Sequence, residues 1–444
     1  MNLLFDSISQ IDQLAITKRN LEIRIKMGQT VIEKIFSKHS KDEVKPGNII
    51  WLDLDVRSAR DFAGANVVEN LRKHYPNEEK FENKDKTAFT FDCVVPANNV
   101  GYAENQQTIR VFAREEGIKV FDSEWGIGSH ILIEEGYSLP GTTVVGTDSH
   151  LNIMGCIGAF GTGMGDADIA FGMKAGRTWF EVPPTMKVII EGDLKAPCSA
   201  KDLTLAVIKR LTSKGALGRA IEFEGKAIDK LSLAGRITLA SMVTEMGGLV
   251  GFIPPNDEVL NYCKTNARTE FTPQYADKDA EYIEEVVIDI SDLKPLIAVP
   301  FKPDNVVEVE SLEKDNIHVE SAFLGSCTNG RYEDMKVAVD MLKGKEVAPE
   351  TVMKIVPATR RVLGEMIVND DIRALFDSRT LVSNPGCAGC ASGQIGMTGK
   401  GEVQVSTGNR NFKGKQGSGL TYLCSPETVT ASAIAGKIIS PENL

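Results

Sequence analysis

Apolar and polar positions alternate along this chain in two kinds of short run. Runs rich in β-branched and aromatic residues predict strands: NIIWLDLD (48–55), TAFTFD (87–92), IKVFD (118–122), TTVVG (142–146), MKVIIEG (186–192), SAFLG (321–325), RTLVS (379–383) and EVQVS (402–406). Between them the period shifts to that of helices. After SAFLG, Met335, Ala338, Val339 and Leu342 mark one helical face, and Gly344 closes it. Near the start, Thr30-Val31-Ile32-Glu33 reads as a capping box, and Val31, Ile32, Ile35 and Phe36 keep helical spacing after it. The ordered body therefore begins near Met27. Residues 1–26 read as an extension, either an added amphipathic helix or the product of an upstream start codon.

Strands alternating with helices predict an α/β fold with largely parallel sheets. Pro183-Pro184 precedes a fresh strand, and PLIAVPFKPDN (295–305), with three prolines, reads as a linker. These breaks divide the body into 27–182, 183–296 and 297–444. No internal repeat and no low-complexity tract interrupts the pattern.

Composition narrows the class. Of the 444 residues, 42% are apolar and 25% charged, which excludes wholesale disorder and a fibrous protein. No apolar run approaches the ~18 residues of a membrane span. Lys+Arg is 50 against Asp+Glu 61, a net charge of -11, so neither nucleic acid nor an anionic membrane is an expected partner. An anionic substrate must be held by local basic residues. The first 26 residues carry Asp6 and Asp12 and no uninterrupted apolar stretch, so no secretory signal is read there. The eight cysteines are then reduced thiols, some of them metal ligands, and the expectation is a cytoplasmic enzyme.

The chemistry gathers after strands. TTVVG runs into Thr147-Asp148-Ser149-His150, SAFLG into Ser326-Cys327-Thr328-Asn329-Gly330-Arg331, RTLVS into Asn384-Pro385-Gly386-Cys387-Ala388-Gly389-Cys390, and EVQVS into Thr407-Gly408-Asn409-Arg410-Asn411-Phe412. Ligands of α/β folds bind beyond the carboxyl ends of strands. Cys387-x-x-Cys390 leaves a redox motif, zinc and an iron–sulfur cluster open. With no second CxxC and no nearby histidine, a zinc knuckle is poorly supported. Cys327 on another strand-end loop is either a third ligand or a buried small hydrophobe. A [4Fe–4S] cluster usually takes four cysteines, and three leave one iron open as a Lewis acid. The other five cysteines read as core or surface residues.

Of the five histidines, His39 and His74 lie in charged helical stretches and read as surface residues, and His318 as inert. His130 and His150 are each either structural or catalytic; Asp148, two residues before His150, can fix a tautomer. The glycine-dense segment GCIGAFGTGMG (155–165) lacks a dinucleotide fingerprint and reads as close backbone packing beneath a site.

Together, GTDSH (146–150), GSCTNGR (325–331), NPGCAGC (384–390) and NRNF-x-G (409–414) resemble the aconitase superfamily, and within it the large subunits of the 3-isopropylmalate dehydratase type. The resemblance covers about residues 27–444. It implies three α/β domains around a [4Fe–4S] cluster, without the swivelling fourth domain, which in two-subunit members is a small partner chain forming a heterodimer or heterotetramer. The implied reaction dehydrates a 2-hydroxy dicarboxylate and rehydrates the alkene at the adjacent carbon. The serine base that takes the carbon-bound proton belongs to the swivelling domain.

Residue by residue, Cys327, Cys387 and Cys390 match the cluster ligands. His130, which sits 18 residues before Asp148, matches a catalytic histidine with Asp148 as its carboxylate partner. His150 matches a second catalytic histidine, partnered by Glu245 of TEMGG (244–248), which taken alone reads as a solvated or capping acid. Ser149, Asn409, Arg410 and Lys415 match substrate-binding positions, and Asp92 a catalytic one.

The departures gather around the substrate. Cys93 follows Asp92 where a histidine is usual, Ser241 stands for a cluster-contacting asparagine, Lys415 for a carboxylate-clamping arginine and Ile131 for a glutamine. A thiol of ordinary pKa ~8.5 is a poor acid at neutral pH, and Lys415 keeps charge without the bidentate fork. The expected activity is therefore a hydro-lyase for 3-isopropylmalate in leucine biosynthesis, with 2,3-dimethylmalate, homoaconitate or citrate as alternative substrates. A cluster-carrying binding or regulatory protein without turnover is the rival. A dithiol redox protein leaves Cys327 and the His–acid pairs unexplained.

Overall fold

The computed structural model describes residues 28–76, 81, 83–391 and 394–444; the expected extension 1–26 lies outside them. The first helix, Val31–Lys38, opens as its sequence predicts: the Thr30 N–H and hydroxyl both donate to Glu33 Oε2, at 2.8 and 2.6 Å. Its buried face places Phe36 edge-on to Phe160 and Phe180, with ring centroids 4.8 and 5.7 Å away.

Strand β1 (Ile49–Asp53) alternates exposed and buried positions, as an antiparallel strand with one wet face does. It is followed by β2 (Val56–Arg60), β3 (Thr87–Thr90), β4 (Lys119–Phe121), β5 (Thr143–Gly146) and β6 (Phe160–Gly163). These five form a wholly parallel sheet in the order β4-β3-β2-β5-β6, while β1 pairs antiparallel with β7 (Arg177–Glu181). Next come β8 (Thr185–Glu191), β9 (Ala220–Glu224), β10 (Val250–Phe252) and β11 (Glu284–Asp289), a second parallel sheet ordered β10-β9-β8-β11. The third sheet holds β12 (Leu296–Ala298), β13 (Val306–Glu308), β14 (Ser321–Leu324), β15 (Val352–Ile355), β16 (Thr380–Val382), β17 (Val403–Ser406) and β18 (Leu420–Cys424). Its order is β13-β12-β18-β17-β14-β15-β16, parallel from β18 onward. One continuous apolar core joins β5, β8 and β11 residues such as Val144, Val188 and Val286.

Two local expectations fail. The segment 295–305 is not a linker. Leu296–Ala298 is a buried strand paired on both sides, with β13 and β18. A strand this short, fenced by prolines, has no room to show a period. His39 is not a plain surface residue either: its Nε2 lies 2.7 Å from Asp55 Oδ2 and its Nδ1 2.8 Å from the Ile35 carbonyl. The glycine-dense segment does pack closely. A Cβ on Gly163 would stand 2.6 Å from the Asp148 carbonyl oxygen, directly under the TDSH loop.

Candidate functional site

Parallel strands send every carboxyl end to the same edge, and two such edges face one another here. From the first sheet, the adjacent strands β3, β2 and β5 deliver Asp92–Cys93, Arg60 and Asp148–His150. From the third, β14, β16 and β17 deliver Cys327, Cys387–Cys390 and Asn409–Arg410. The edges touch where the Cys387 N–H donates to the Asp92 carbonyl at 2.8 Å and the Asn384 amide to the Val95 carbonyl at 2.7 Å. Ser326, just before Cys327, and Ala388, just after Cys387, hold φ of +71° and +52°, left-handed values that cost non-glycine residues about 1–3 kcal/mol. Strain beside the cysteines is what a functional loop stores.

A cavity of about 370 Å³ opens between the edges, and Cys327, Cys387 and Cys390 all line it, as do Cys93, Asp148, His150, Arg410 and Lys415. Burial pushes the Cys327 and Cys390 thiols above the ordinary thiol range, and the neighbouring cysteines push the same way. Three thiols in one pocket suit a cationic metal core that would draw off their protons. Asn409 gives a second sign. Its Oδ1 accepts from the Cys327 thiol at 3.4 Å, while its buried Nδ2 has no partner. An unpaired amide beside a cysteine ligand suits a sulfide acceptor. The residues fit an iron–sulfur cluster.

Arg60 is the hub that the sequence reading missed. Its Nε donates to Asp92 Oδ1 at 2.7 Å, Nη1 to Asp148 Oδ1 at 2.9 Å and Nη2 to Cys387 Sγ at 2.7 Å. Its backbone N–H donates to Thr147 Oγ1 at 2.9 Å, locking β2 to the TDSH loop. No motif flags it, because β2 is buried on both faces and so shows no alternation. The one available signal is a basic residue ending a strand-like stretch in an acidic chain.

Burial pushes the Asp92 carboxyl up to about 6, with the Arg60 charge pulling the other way and the Asp61 and Asp148 charges adding to the rise. Against burial, the charges of Arg60 and His150 hold Asp148 below the usual carboxylate range. Asp61 braces the same corner, accepting from the Asp92 and Cys93 N–H groups at 3.2 and 3.0 Å and, through its other oxygen, from Val94 N–H at 3.2 Å. Asp61, Asp92 and Cys93 bring ligand atoms within 4.8 Å of one another. The hydrogen bonds already made and the Arg60 cation mark this trio as a brace rather than a separate metal site.

Of the two expected His–acid pairs, one is present. His150 Nε2 lies 3.1 Å from Glu245 Oε1, which also accepts from Arg410 Nε at 2.7 Å. Against burial, these two partners keep Glu245 below its usual value. With Nε2–H given to Glu245, His150 Nδ1 is free to exchange a proton; Ser149 Oγ is 3.5 Å from it. The other pair is not hydrogen-bonded. Asp148 is spent on Arg60 and the His150 N–H, while His130 Nε2 donates to the Cys327 carbonyl at 3.0 Å. Burial, with Arg331 nearby, lowers His130 to about 3, so its ring is neutral and its Nδ1 unpartnered. Here His130 positions a cysteine loop. Ser241 and Ile131 are both buried, and the Ser241 hydroxyl turns back to the Thr238 carbonyl at 2.9 Å.

A further unforeseen support is Lys201, fully buried, whose Nζ donates to the Thr407 and Gly408 carbonyls at 2.8 and 2.9 Å. Burial lowers it to about 8. It clamps the loop that carries Asn409 and Arg410. Among the described residues, no helix is long and apolar enough to cross a membrane.

The profile of the aconitase family (aconitate hydratase) matches residues 33–436. A 3-isopropylmalate dehydratase large subunit 1 from Methanopyrus kandleri is 39% identical over 418 residues, covering 94% of this chain and 99% of the relative. A protein of the same name from Archaeoglobus fulgidus is 37% identical over 421 residues, covering 94% and 100%. A 3-isopropylmalate dehydratase large subunit from Hydrogenobaculum sp. is 39% identical over 422 residues, covering 94% and 99%.

Proposed function

The chain belongs to the aconitase family, and from that premise we propose that it is the large, cluster-carrying subunit of a hydro-lyase that isomerises 3-isopropylmalate by dehydration and rehydration, in leucine biosynthesis. The observation that carries this is the meeting of Cys327, Cys387 and Cys390 with the His150–Glu245–Arg410 chain around one cavity. All eight cysteines are free thiols, which suits the cytoplasm.

Each group has a task. Cys327, Cys387 and Cys390 would hold the cluster as thiolates, and the Asn409 amide would complete its polar cradle. When bound, a [4Fe–4S] cluster supplies one iron without a thiolate, a Lewis acid for a substrate hydroxyl. His150, oriented by Glu245, gives a proton from Nδ1 to the departing hydroxyl and takes one back on rehydration. Lys415 attracts a substrate carboxylate, Ser149 at the rim hydrogen-bonds the substrate, and Arg410 lines the same cavity while holding Glu245 beside His150. The base for the carbon-bound proton comes from a small partner subunit, as the large-subunit names of the relatives imply a second chain for those proteins.

The test is anaerobic reconstitution. The chain should bind about four iron and four sulfide and turn brown. With the small subunit present it should convert 3-isopropylmalate faster than 2,3-dimethylmalate, homoaconitate or citrate. Stoichiometric zinc without sulfide would sink the cofactor assignment. Full activity from this chain alone would move the base into it.

A further inference from the structure

Cys93 has no place in the mechanism above, yet it lines the same cavity as the three cluster cysteines. Its backbone is fixed there. The Cys93 N–H donates to Asp61 Oδ1 at 3.0 Å, and the preceding Asp92 carbonyl accepts from the Cys387 N–H at 2.8 Å. Residues 92–93 therefore run directly alongside a cluster ligand. The Cys93 thiol donates to Asp92 Oδ1 at 3.3 Å. These are not the apolar surroundings of a core cysteine.

We propose that Cys93 is a fourth thiol ligand of the cluster: without substrate, its thiolate occupies the iron position that Cys327, Cys387 and Cys390 leave open. This rests on the cluster assignment made above. Four cysteines are the usual complement of a [4Fe–4S] centre, and this cavity holds four. On binding, the S–H bond breaks and an S–Fe bond forms in place of solvent. The proton passes to the Asp92 carboxylate, already in contact, and no electrons change hands. The added negative charge falls beside Arg60, whose Nη2 sits 2.7 Å from Cys387 Sγ and whose Nε holds Asp92. A substrate hydroxyl must then displace the thiolate, so Cys93 both protects the reactive iron and raises the threshold for substrate entry. A neutral imidazole at this position would bring no negative charge to the iron, whereas a thiolate does.

The experiment compares the full chain with Cys93→Ala, both reconstituted anaerobically. Iron and sulfide should match in the two, because three thiols suffice to hold a cluster. Ferricyanide should then strip one iron from the variant and give the paramagnetic three-iron form. The unaltered chain should keep its iron and show a several-fold weaker electron paramagnetic resonance signal. Cys93→Ser, nearly isosteric and a far poorer iron ligand, gives the same comparison if the alanine variant does not fold. Equal three-iron signals in the unaltered chain and variant would overturn the proposal while leaving the cluster assignment standing. Neither protein binding iron and sulfide would overturn both.

Discussion

Replacing Arg60 with methionine tests the electrostatic reading of the site most directly. The guanidinium donates to two buried carboxylates and a thiol, at 2.7, 2.9 and 2.7 Å, and is itself only 14% exposed. Removing one partner of a buried ion pair costs about 3–5 kcal/mol, since the other charge is left unpaired. Two carboxylates would be stranded, but protonation of one limits the loss. Asp92 already sits at about 6 with Arg60 beside it, and would rise further alone. A carboxyl whose folded pKa exceeds its unfolded value weakens the fold when ionised, and the penalty disappears as pH falls below the folded pKa. Asp148, held below the usual carboxylate range by Arg60 against burial, stays ionised at pH 5 in the parent, but without Arg60 its buried carboxyl would rise and take up a proton as pH falls. Both effects have the same sign: Arg60→Met should destabilise the unloaded chain by about 3–5 kcal/mol at pH 8 and clearly less at pH 5. Urea unfolding at the two pH values measures this. Arg60→Lys keeps a charge but reaches fewer acceptors, so it should fall between. A loss under ~1 kcal/mol at pH 8, typical of an exposed ion pair, or a loss equal at both pH values, would refute the reasoning.

His130, neutral in the fold with its pKa lowered to about 3, lets the unfolded chain take up an extra proton below pH 6.5. Stability should therefore fall as pH drops through that value, by ~1.4 kcal/mol at pH 5.5, and urea melts of His130→Gln should lack this component. In the reconstituted two-subunit enzyme, His150→Ala should lower kcat by roughly 10²–10⁴, whereas Cys93→Ala should be neutral or activating. Steady-state dehydration rates decide it, and a Cys93→Ala loss as deep as that of His150→Ala would make the thiol a catalytic group. Gly126 holds φ +103°, and a Cβ there would stand 2.2 Å from the Ala358 carbonyl oxygen, so Gly126→Ala should cost at least ~2 kcal/mol in a thermal melt. An unchanged melting temperature would show that this junction between the first and third sheets yields easily.

What the sequence could reveal depended on how each residue acts. The strands before the TDSH, Cys327, Cys387 and Asn409 loops are apolar runs broken by turn residues, and all four are strands in the fold. The cysteines and the His150–Glu245 pair carry motifs, and motifs survive without coordinates. Arg60 does not, because its partners come from three other strand ends, and β2 buries Arg57 and Ser58 where a reader looks for apolar residues. The same blindness produced the His130–Asp148 pairing. Spacing along the chain matched, but Arg60, at the end of the neighbouring strand β2, had already claimed the acid. Three-residue strands such as β12 are invisible for a simpler reason, since they end before any period can repeat.

The charge of the cavity bears on the proposed need for a partner chain. Three cations line it: Arg60, Arg410 and Lys415. Arg60 is committed to Asp92 and Asp148, and Arg410 to Glu245. Lys415 forms no ion pair among the described residues, which leaves it as the cation free to meet an incoming carboxylate. A lysine offers one point charge where a dicarboxylate presents two groups, each of which must be paired once it leaves water. Freeing Arg410 for the second would strip Glu245 of a partner and loosen the hold on His150, the proposed proton carrier. On the proposed roles, the chain would orient a substrate or keep its proton relay intact, but not both with its own cations. A partner supplying one more cation resolves the conflict. A Lys415→Met chain paired with its small subunit should show a raised KM for the dicarboxylate with kcat less affected, because ground-state and transition-state binding lose the same contact. A kcat collapse at unchanged KM would mean that Lys415 acts on the reacting centre and that the carboxylates are held elsewhere.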